Sequence, residues 1–345
     1  MSAELLAVVA LAEAALAAVV AGFVVGHAAL AAHRDRSRTE RLRAARAVVT
    51  RSLDGPDADS DAVAVVEALP AGGQIRLFCD LARTLDGARR RALAELAARS
   101  GLIARAERWC RRRRWWWRLR GARLLTALGA GGRQVLELFE DRRPEVRAQA
   151  AEWASGHPEP EAVTRLLGML EDDRTLCRFT VKDSLLRLGP VASAHVAGYL
   201  AHPRDGSVVE ALEVAAGIAD ARFLEPALLQ AQSDAPATRA RAAALLGAIG
   251  GERATERLAE LVGDDDPAVR AAAATALGRL GHWPASAALY ERLGDRAWDV
   301  RRAAALSLRR LGPAGMLMLR RATEHPDAFG RDMARQVLDL PDTES

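Results

Sequence analysis

The residues with the strongest chemical character lie in one run, Glu107 to Arg120, which reads ERWCRRRRWWWRLR. Arginine pairs its planar guanidinium with carboxylates and phosphates, and tryptophan places an apolar ring with a polar edge at interfaces. The run therefore predicts a surface for a lipid interface, a phosphate-rich ligand or a protein partner. The candidate residues of this surface are Arg111, Arg112, Arg113, Arg114, Trp115 and Trp116.

Residues for catalysis or metal binding form no comparable pattern. The sequence contains no P-loop, GxGxxG, GxSxG or HExxH motif, and its seven histidines are scattered. Glu210 and Glu213 share one predicted helix, and Asp264 to Asp266 share a loop, but neither group has a histidine partner. The three cysteines, Cys79, Cys110 and Cys177, have neither disulfide-framework nor zinc-site spacing. We expect no catalytic residue, cofactor or metal site, and hence a protein that is not an enzyme.

An internal repeat supplies the elements that position these residues. It is marked by one arginine position, occupied by Arg147, Arg178, Arg239, Arg270 and Arg301, with Val209 in the remaining copy. These positions are separated by 31, 31, 30, 31 and 31 residues. Looser copies place Arg90 and Arg118 in the same frame, and a degenerate copy ends the chain as a cap would.

Each copy predicts two helices. In the copy that begins at Asp264, the second helix carries an apolar stripe at helical spacing: Val269, Ala273, Ala276, Leu277 and Leu280. Pro267 suits its first turn, and Gly281 follows the last apolar residue, where glycine takes the left-handed cap conformation. Neither helix buries its stripe alone, so neighbouring copies must stack. Alanine and leucine dominate the chain and favour helix, so we expect an all-α fold.

The segment DPAVRAAAATALGRLG, Asp266 to Gly281, resembles the short bacterial HEAT-like repeats of phycobilisome lyase-type proteins. The resemblance covers roughly residues 70–325. It implies a right-handed α-α superhelix, a HEAT-like solenoid whose concave face binds proteins, lipids or, less often, nucleic acid. Some relatives handle bilins or act on DNA, but none of their catalytic residues can be placed on this sequence. The recurrent arginine is expected to be structural and to pair with loop acids such as Asp264 and Asp295.

The N-terminal stretch from Leu5 to Ala32 is apolar, and Glu13 is its only acidic residue among 28 residues without arginine or lysine. A membrane-spanning helix needs about 20 such residues. Six arginines follow the stretch: Arg34, Arg36, Arg38, Arg41, Arg43 and Arg46. By the positive-inside rule, this predicts a single membrane-spanning helix in a bacterial inner membrane, with the N-terminus outside and the solenoid in the cytoplasm. A cleaved signal or an alanine-rich soluble helix is the alternative.

Within this stretch, small residues recur every four positions beside Glu13: Ala14, Ala18, Gly22 and Gly26. Such a stripe lets two helix backbones approach closely in lipid, and an ionisable group at membrane depth favours a partner. The pattern predicts contact with another transmembrane protein. Alternatively, Glu13 lies at the outer interface and extends to water.

These patterns divide the chain into three parts. Residues 1–33 form the anchor, residues 34–73 a basic juxtamembrane segment with divergent first helices, and residues 74–340 the solenoid of about 31-residue period. Asp54 to Gly73 is either a loop inside a divergent repeat or a linker.

Charge is distributed unevenly along the chain. Residues 33–133 hold 23 arginines against 11 acids, a net +12, and residues 134–345 hold 26 cations against 32 acids, a net −6. We therefore expect a membrane-tethered cytoplasmic scaffold that binds a protein partner, in particular an integral membrane enzyme or transporter, and an anionic membrane surface. An anchored protein has little reason to bind nucleic acid. The alternatives are a binder of nucleic acid or anionic lipid through the basic repeats, and a bilin lyase-type enzyme.

Overall fold

A computed structural model describes residues 20–25, 27, 36, 38–53, 59–202 and 207–341 of the chain. These residues form helices joined by short turns, and no strand occurs among them. The chain divides into two compact units, Met1–Gly131 and Gly132–Ser345. The boundaries predicted at residues 33 and 73 lie within the first of these units, and they stay predictions.

The first unit contains six helices whose bounds the structure gives. They are α1 (38–52), α2 (Asp59–Ala68), α3 (Ala71–Thr84), α4 (Gly87–Arg99), α5 (Leu102–Cys110) and α6 (Trp115–Leu128). Helix α6 packs against α3, α4 and α5. Fully buried side chains from four of these helices, such as Phe78, Leu93, Leu102 and Leu125, form the core.

The second unit is a series of helix pairs. Its first helices, each shorter than the partner that follows it, are α7 (Arg133–Leu136), α9 (Pro160–Gly168), α11 (Ser193–Ala201), α13 (Leu224–Gln230), α15 (Glu252–Leu261), α17 (Ser286–Glu291) and α19 (Pro313–Arg321). Its second helices are α8 (Pro144–Ala154), α10 (Thr175–Leu188), α12 (Val208–Ile218), α14 (Pro236–Ile249), α16 (Pro267–Arg279), α18 (Trp298–Arg310) and α20 (Ala328–Leu338). Each second helix packs against the next one along the chain, as predicted for stacked repeats.

The helix ends follow the local signals. Pro267 occupies the first turn of α16, and the Asp266 carboxylate accepts a hydrogen bond from the Ala268 N–H at 2.8 Å. Gly281 has φ +63°, which confirms the left-handed cap predicted for it. Helix α17 stops at Glu291, and the chain then tightens into a 3₁₀ helix, Arg292–Gly294.

A second glycine position sets the distance between neighbouring second helices. An added Cβ at Gly278 would lie 2.5 Å from the Ser307 Cβ of α18, and at Gly247 it would lie 2.5 Å from the Ala276 Cβ of α16. A methyl group does not fit at either contact. The glycine of this position is therefore a packing requirement, whereas Gly281 is required by its backbone conformation.

In the copies of Arg147, Arg239 and Arg270, the repeat arginine joins two successive turns. Arg239 donates from Nη1 to the carbonyl of Ser233 at 2.9 Å, in the turn before its own helix. Its Nε and Nη2 donate to the carboxylate of Asp264 in the next turn, each at 2.8 Å. Arg147 pairs in the same way with Asp172 at 2.6 and 2.9 Å. The predicted structural role of the arginine is confirmed.

The copy that lacks the arginine also lacks the acid. Val209 occupies the arginine position, and Ser233 stands in the following turn where Asp264 stands one repeat later. The Ser233 hydroxyl accepts a hydrogen bond from the Ala235 N–H at 3.3 Å. This turn thus keeps its local hydrogen bond without an ion pair between repeats.

The predicted membrane-spanning helix falls mostly on residues outside those described. Of the stretch from Leu5 to Ala32, the structure describes residues 20–25, which are helical and exposed, and His27. No helix in the described part of the chain is both long enough and apolar enough to cross a membrane. The fold that is shown is therefore all-helical, and the preceding span stays a prediction.

Candidate binding surface

The arginines of the predicted surface form the turn between α5 and α6. The side chains of Arg111 to Arg114 are exposed. Arg118, which occupies the repeat-arginine position of α6, donates Nη1 to the carbonyl oxygens of Arg112 and Arg113 at 3.0 and 2.8 Å. Arg118 therefore holds the turn by its backbone and leaves four guanidinium groups at the surface.

The tryptophans of the predicted surface lie directly beside this turn, at the start of α6. Trp116 is 40% exposed and Trp115 is half-buried. Their rings meet edge to face with centroids 6.3 Å apart, and the Arg114 guanidinium lies 5.4 Å from the centre of the Trp116 ring. This contact holds a cation against an exposed aromatic face. The structure thus brings together all six residues of the predicted surface, while their binding role stays a prediction.

Trp117 is half-buried, although its position in the repeat predicts a core residue. Its ring packs on that of the buried Trp109, with centroids 5.3 Å apart. The Arg120 guanidinium lies 5.3 Å from its centre. Because Trp117 lies in the first turn of α6, its large ring reaches beyond the core, and the same ring lines a surface pocket of about 290 Å³ with Arg112, Arg113 and Arg114.

A larger cavity in the same unit was not predicted. It has a volume of about 600 Å³, and its charged lining residues are Arg38 and Arg41 of α1, Arg76 of α3 and Arg120 of α6. Its remaining lining is apolar or glycine, contributed mainly by the segment from Ala68 to Ile75. The four arginines come from three separate helices, so no local motif marks them. The one signal in the sequence is the arginine excess of residues 33–133.

The predicted transmembrane contact cannot be assembled from the described residues. Glu13, Ala14, Ala18 and Gly26 lie outside them. Gly22 lies in an exposed helical stretch, and an added Cβ there would meet no atom within 4 Å.

Ion pairs cross between three successive second helices of the second unit. One carboxylate oxygen of Glu213 on α12 accepts from the Lys182 ammonium of α10 at 2.6 Å. The other oxygen lies 2.8 Å from Nη2 of Arg241 on α14. Glu213 thus lies between two cations of neighbouring helices.

Apart from these ion pairs, the second unit has a groove of about 460 Å³ on the exposed side of α16 and α18. Small side chains line its base, among them Ala271, Ala272 and Ala303. Three arginines and one acid also line it: Arg279, Arg302, Arg310 and Asp299. The groove is thus apolar at the base and predominantly cationic around it.

Titratable groups with shifted pKa values have structural partners. The Arg239 guanidinium holds the pKa of Asp264 below its usual range. The hydrogen-bonded ion pair with Arg222 likewise lowers the pKa of Asp220. Burial raises the pKa of the Cys110 thiol to about 12 and that of Cys177 to about 11. No group of three His, Cys, Asp or Glu side chains suited to a metal ion occurs among the described residues.

Residues 224–338 match the sequence family of HEAT repeats. No curated protein matches the chain. Among solved structures, an engineered protein is 15% identical over 86% of this chain and 94% of its own, with a TM-score of 0.37. Human deoxyhypusine hydroxylase in complex with glycerol is 20% identical over 87% and 96%, with a TM-score of 0.30.

Kap121p is 11% identical over 85% of this chain, with a TM-score of 0.40, and this chain spans 45% of its length. The family match covers four of the repeats found from spacing. Two of them, the copies of Arg239 and Arg270, show the arginine pairing and the close-packed glycine described above. Together they show that the protein contains a HEAT-like α-solenoid.

Proposed function

We propose that this protein is a non-catalytic HEAT-like scaffold that binds an anionic membrane surface and a protein partner. The observation that carries the proposal is the turn Arg111 to Arg114, four exposed arginines directly beside Trp115 and the exposed Trp116. Arginine binds phosphate, and tryptophan favours the level of the lipid headgroups. A surface that combines the two fits the interface of an anionic membrane.

The charge of the chain supports the same assignment. Residues 33–133 carry a net +12, and a cation near an anionic leaflet contributes about 1 kcal/mol of attraction. The anchor predicted from Leu5 to Ala32, with the solenoid in the bacterial cytoplasm, belongs to this proposal, and its support is the apolar stretch and the arginines that follow it.

The partner that we propose is an integral membrane enzyme or transporter with an acidic segment. The support is the groove on α16 and α18, which is apolar at its base and is lined by Arg279, Arg302 and Arg310. Purification from native membranes in mild detergent should yield one stoichiometric membrane protein. Arg302→Glu with Arg310→Glu should release it, whereas Arg320→Glu with Arg321→Glu on α19 should not. A partner that stays bound to the groove variant would place the contact elsewhere.

The proposal of a scaffold rather than an enzyme is supported by the roles of the acids. The acids with lowered pKa values, which include Asp172, Asp264 and Asp295, are engaged with arginines. The bilin lyase-type assignment stays a resemblance of sequence. Absorbance of the purified protein, with and without added bilin, tests it directly.

Membrane binding can be tested with the full chain in lipid nanodiscs of phosphatidylcholine alone or of phosphatidylcholine mixed with the anionic lipid phosphatidylglycerol. Tryptophan fluorescence should be quenched by brominated lipid only in the anionic discs, and 0.5 M salt should weaken the quenching, since exposed charges are screened (Debye length about 4 Å). Trp115→Phe with Trp116→Phe should remove most of it. Equal quenching in both lipids would overturn the assignment.

A matched pair of variants distinguishes lipid binding by the turn Arg111 to Arg114 from attraction by the positive charge of arginines elsewhere. Alanine at Arg111 to Arg114 should abolish the preference for anionic lipid. Alanine at four exposed arginines of the second unit, Arg279, Arg302, Arg310 and Arg320, should leave it unchanged.

The same arginines and rings would also suit nucleic acid. If the full chain bound a DNA or RNA duplex more tightly than anionic lipid at equal salt, and alanine at Arg111 to Arg114 abolished that binding, the surface would be a nucleic-acid interface.

A further inference from the structure

The cavity of about 600 Å³ in the first unit brings four arginines around one volume. Arg38 and Arg41 reach it from α1, Arg76 from α3 and Arg120 from α6, and no aspartate or glutamate lines it. Guanidinium groups repel one another, so such an arrangement is favoured when an anion occupies the shared space.

Two of these arginines have no carboxylate partner within the described part of the chain. Arg76 is exposed on α3 and forms no ion pair there, and Arg120 lies over the Trp117 ring instead. They differ in this respect from the repeat arginines of the second unit, such as Arg239, which is fully engaged by Asp264 and backbone carbonyls. Their charge is available to a ligand.

The base of the cavity is suited to a compact anion. Leu69 and Ile75 give it an apolar part, and the exposed Gly72 leaves the backbone of the first turn of α3 uncovered. The positive end of the dipole of this 14-residue helix adds to the attraction of the arginines for negative charge. The volume accepts a phosphate with a small organic substituent.

We propose that this cavity binds a phosphate group, as a free phosphate compound or as the headgroup of an anionic phospholipid. Two or more guanidinium groups would donate charge-assisted hydrogen bonds to the phosphate oxygens. The lipid source rests on the proposed function, because it requires the first unit to lie on a membrane. The free source does not.

Gly72 offers a variant that tests the cavity without damaging the fold. An added Cβ at this position meets no atom within 4 Å, and Gly72 lies in the first turn of α3. Glutamate there is favourable to the helix, and it places a negative charge at the cavity. Gly72→Ala adds the same Cβ without the charge and is the matched control.

The full chain in zwitterionic detergent should bind pyrophosphate and dihexanoylphosphatidylglycerol in isothermal titration calorimetry. Gly72→Glu, and separately Arg76→Ala with Arg120→Ala, should each weaken binding at least tenfold, roughly the effect of one lost charge-assisted hydrogen bond. Gly72→Ala should bind as the unchanged protein does. Helical content and melting temperature, measured by circular dichroism, should be equal across the set.

The two probes distinguish the source of the phosphate. Tighter binding of the short-chain lipid than of pyrophosphate assigns the site to a headgroup, and the reverse assigns it to a free phosphate compound. Failure to bind either probe, or equal binding by Gly72→Glu, overturns the site. Alanine at Arg111 to Arg114 leaves the cavity intact, so loss of membrane preference with retained phosphate binding would separate the two proposals.

Discussion

Arg270 and Asp295, 25 residues apart in sequence, meet in a two-pronged ion pair between successive repeats. Nε lies 2.8 Å from Oδ2 and Nη2 lies 2.9 Å from Oδ1, while Nη1 donates to the Asp264 carbonyl at 2.8 Å. The side chains are 13% and 4% exposed. Asp295 also accepts a hydrogen bond from the Ala297 N–H at 2.9 Å, so it orders its own turn while binding the preceding repeat.

Removing the acid of this pair should destabilise the second unit. Asp295→Ala leaves the mostly buried guanidinium of Arg270 without its carboxylate, at a cost of about 3 kcal/mol in the free energy of unfolding. Asp265→Ala, at an exposed neighbour in the preceding turn, should change it by less than about 0.5 kcal/mol. Urea denaturation followed by circular dichroism measures both. Equal effects would mean that the pair contributes no more than a surface acid.

Acid should weaken the contacts between repeats. The pKa of Asp264 is held below its usual range by the hydrogen bond from Arg239 and by the Asp266 N–H. A lowered pKa in the folded state means that the stabilisation is complete above the unfolded pKa, about 3.9, and is lost as the pH falls through the folded value.

We therefore expect the difference in stability between the unchanged protein and Asp264→Asn to be constant from about pH 7 to pH 5 and to shrink below about pH 4. Urea denaturation at a series of pH values measures this difference. A difference that grew on acidification would contradict the assigned direction of the shift.

Adding one methyl group between α16 and α18 should be costly. In Gly278→Ala the new Cβ would lie 2.4 Å from the Ser307 Oγ and 2.7 Å from the Ser307 Cα, so the helices must separate at a cost of about 2 kcal/mol. Gly168→Ala, where an added Cβ meets nothing within 4 Å, should instead stabilise by up to about 1 kcal/mol. Thermal unfolding compares the two variants. Similar melting temperatures would show that α18 moves away from α16 without a cost in stability.

The cysteine thiols should react slowly in the folded protein. Burial raises the pKa of Cys110 to about 12, so only about one thiol in ten thousand is ionised at pH 8. Cys177 is also buried, whereas Cys79 is half-buried. Iodoacetamide labelling read by mass spectrometry should modify Cys79 first and all three after denaturation. Fast labelling of Cys110 would mean that α5 and α6 open readily.

Several features could be predicted from local residues and their spacing. The helix pairs, Pro267 at its helix start, the left-handed Gly281 and the structural arginine all follow from backbone preferences and from a period that repeats along the chain. The repeat frame also puts Arg118 in a second helix, so the turn Arg111 to Arg114 directly before that helix follows from the same spacing. The predicted anchor lies mostly outside the residues that the structure describes, so it stays a prediction.

Sequence alone therefore determined the helical repeat, the helix starts at proline and helix ends at glycine, and the excess of arginine in residues 33–133. Each of these depends on residues that lie near one another or recur at a fixed period. Tertiary packing decided which distant side chains meet. It placed Arg76 and Arg120 at one cavity, set Glu213 between two cations, and left Trp117 half-buried. These outcomes depend on the distance and rotation between packed helices. Side-chain volumes at each contact determine both, and no single segment of the sequence encodes them.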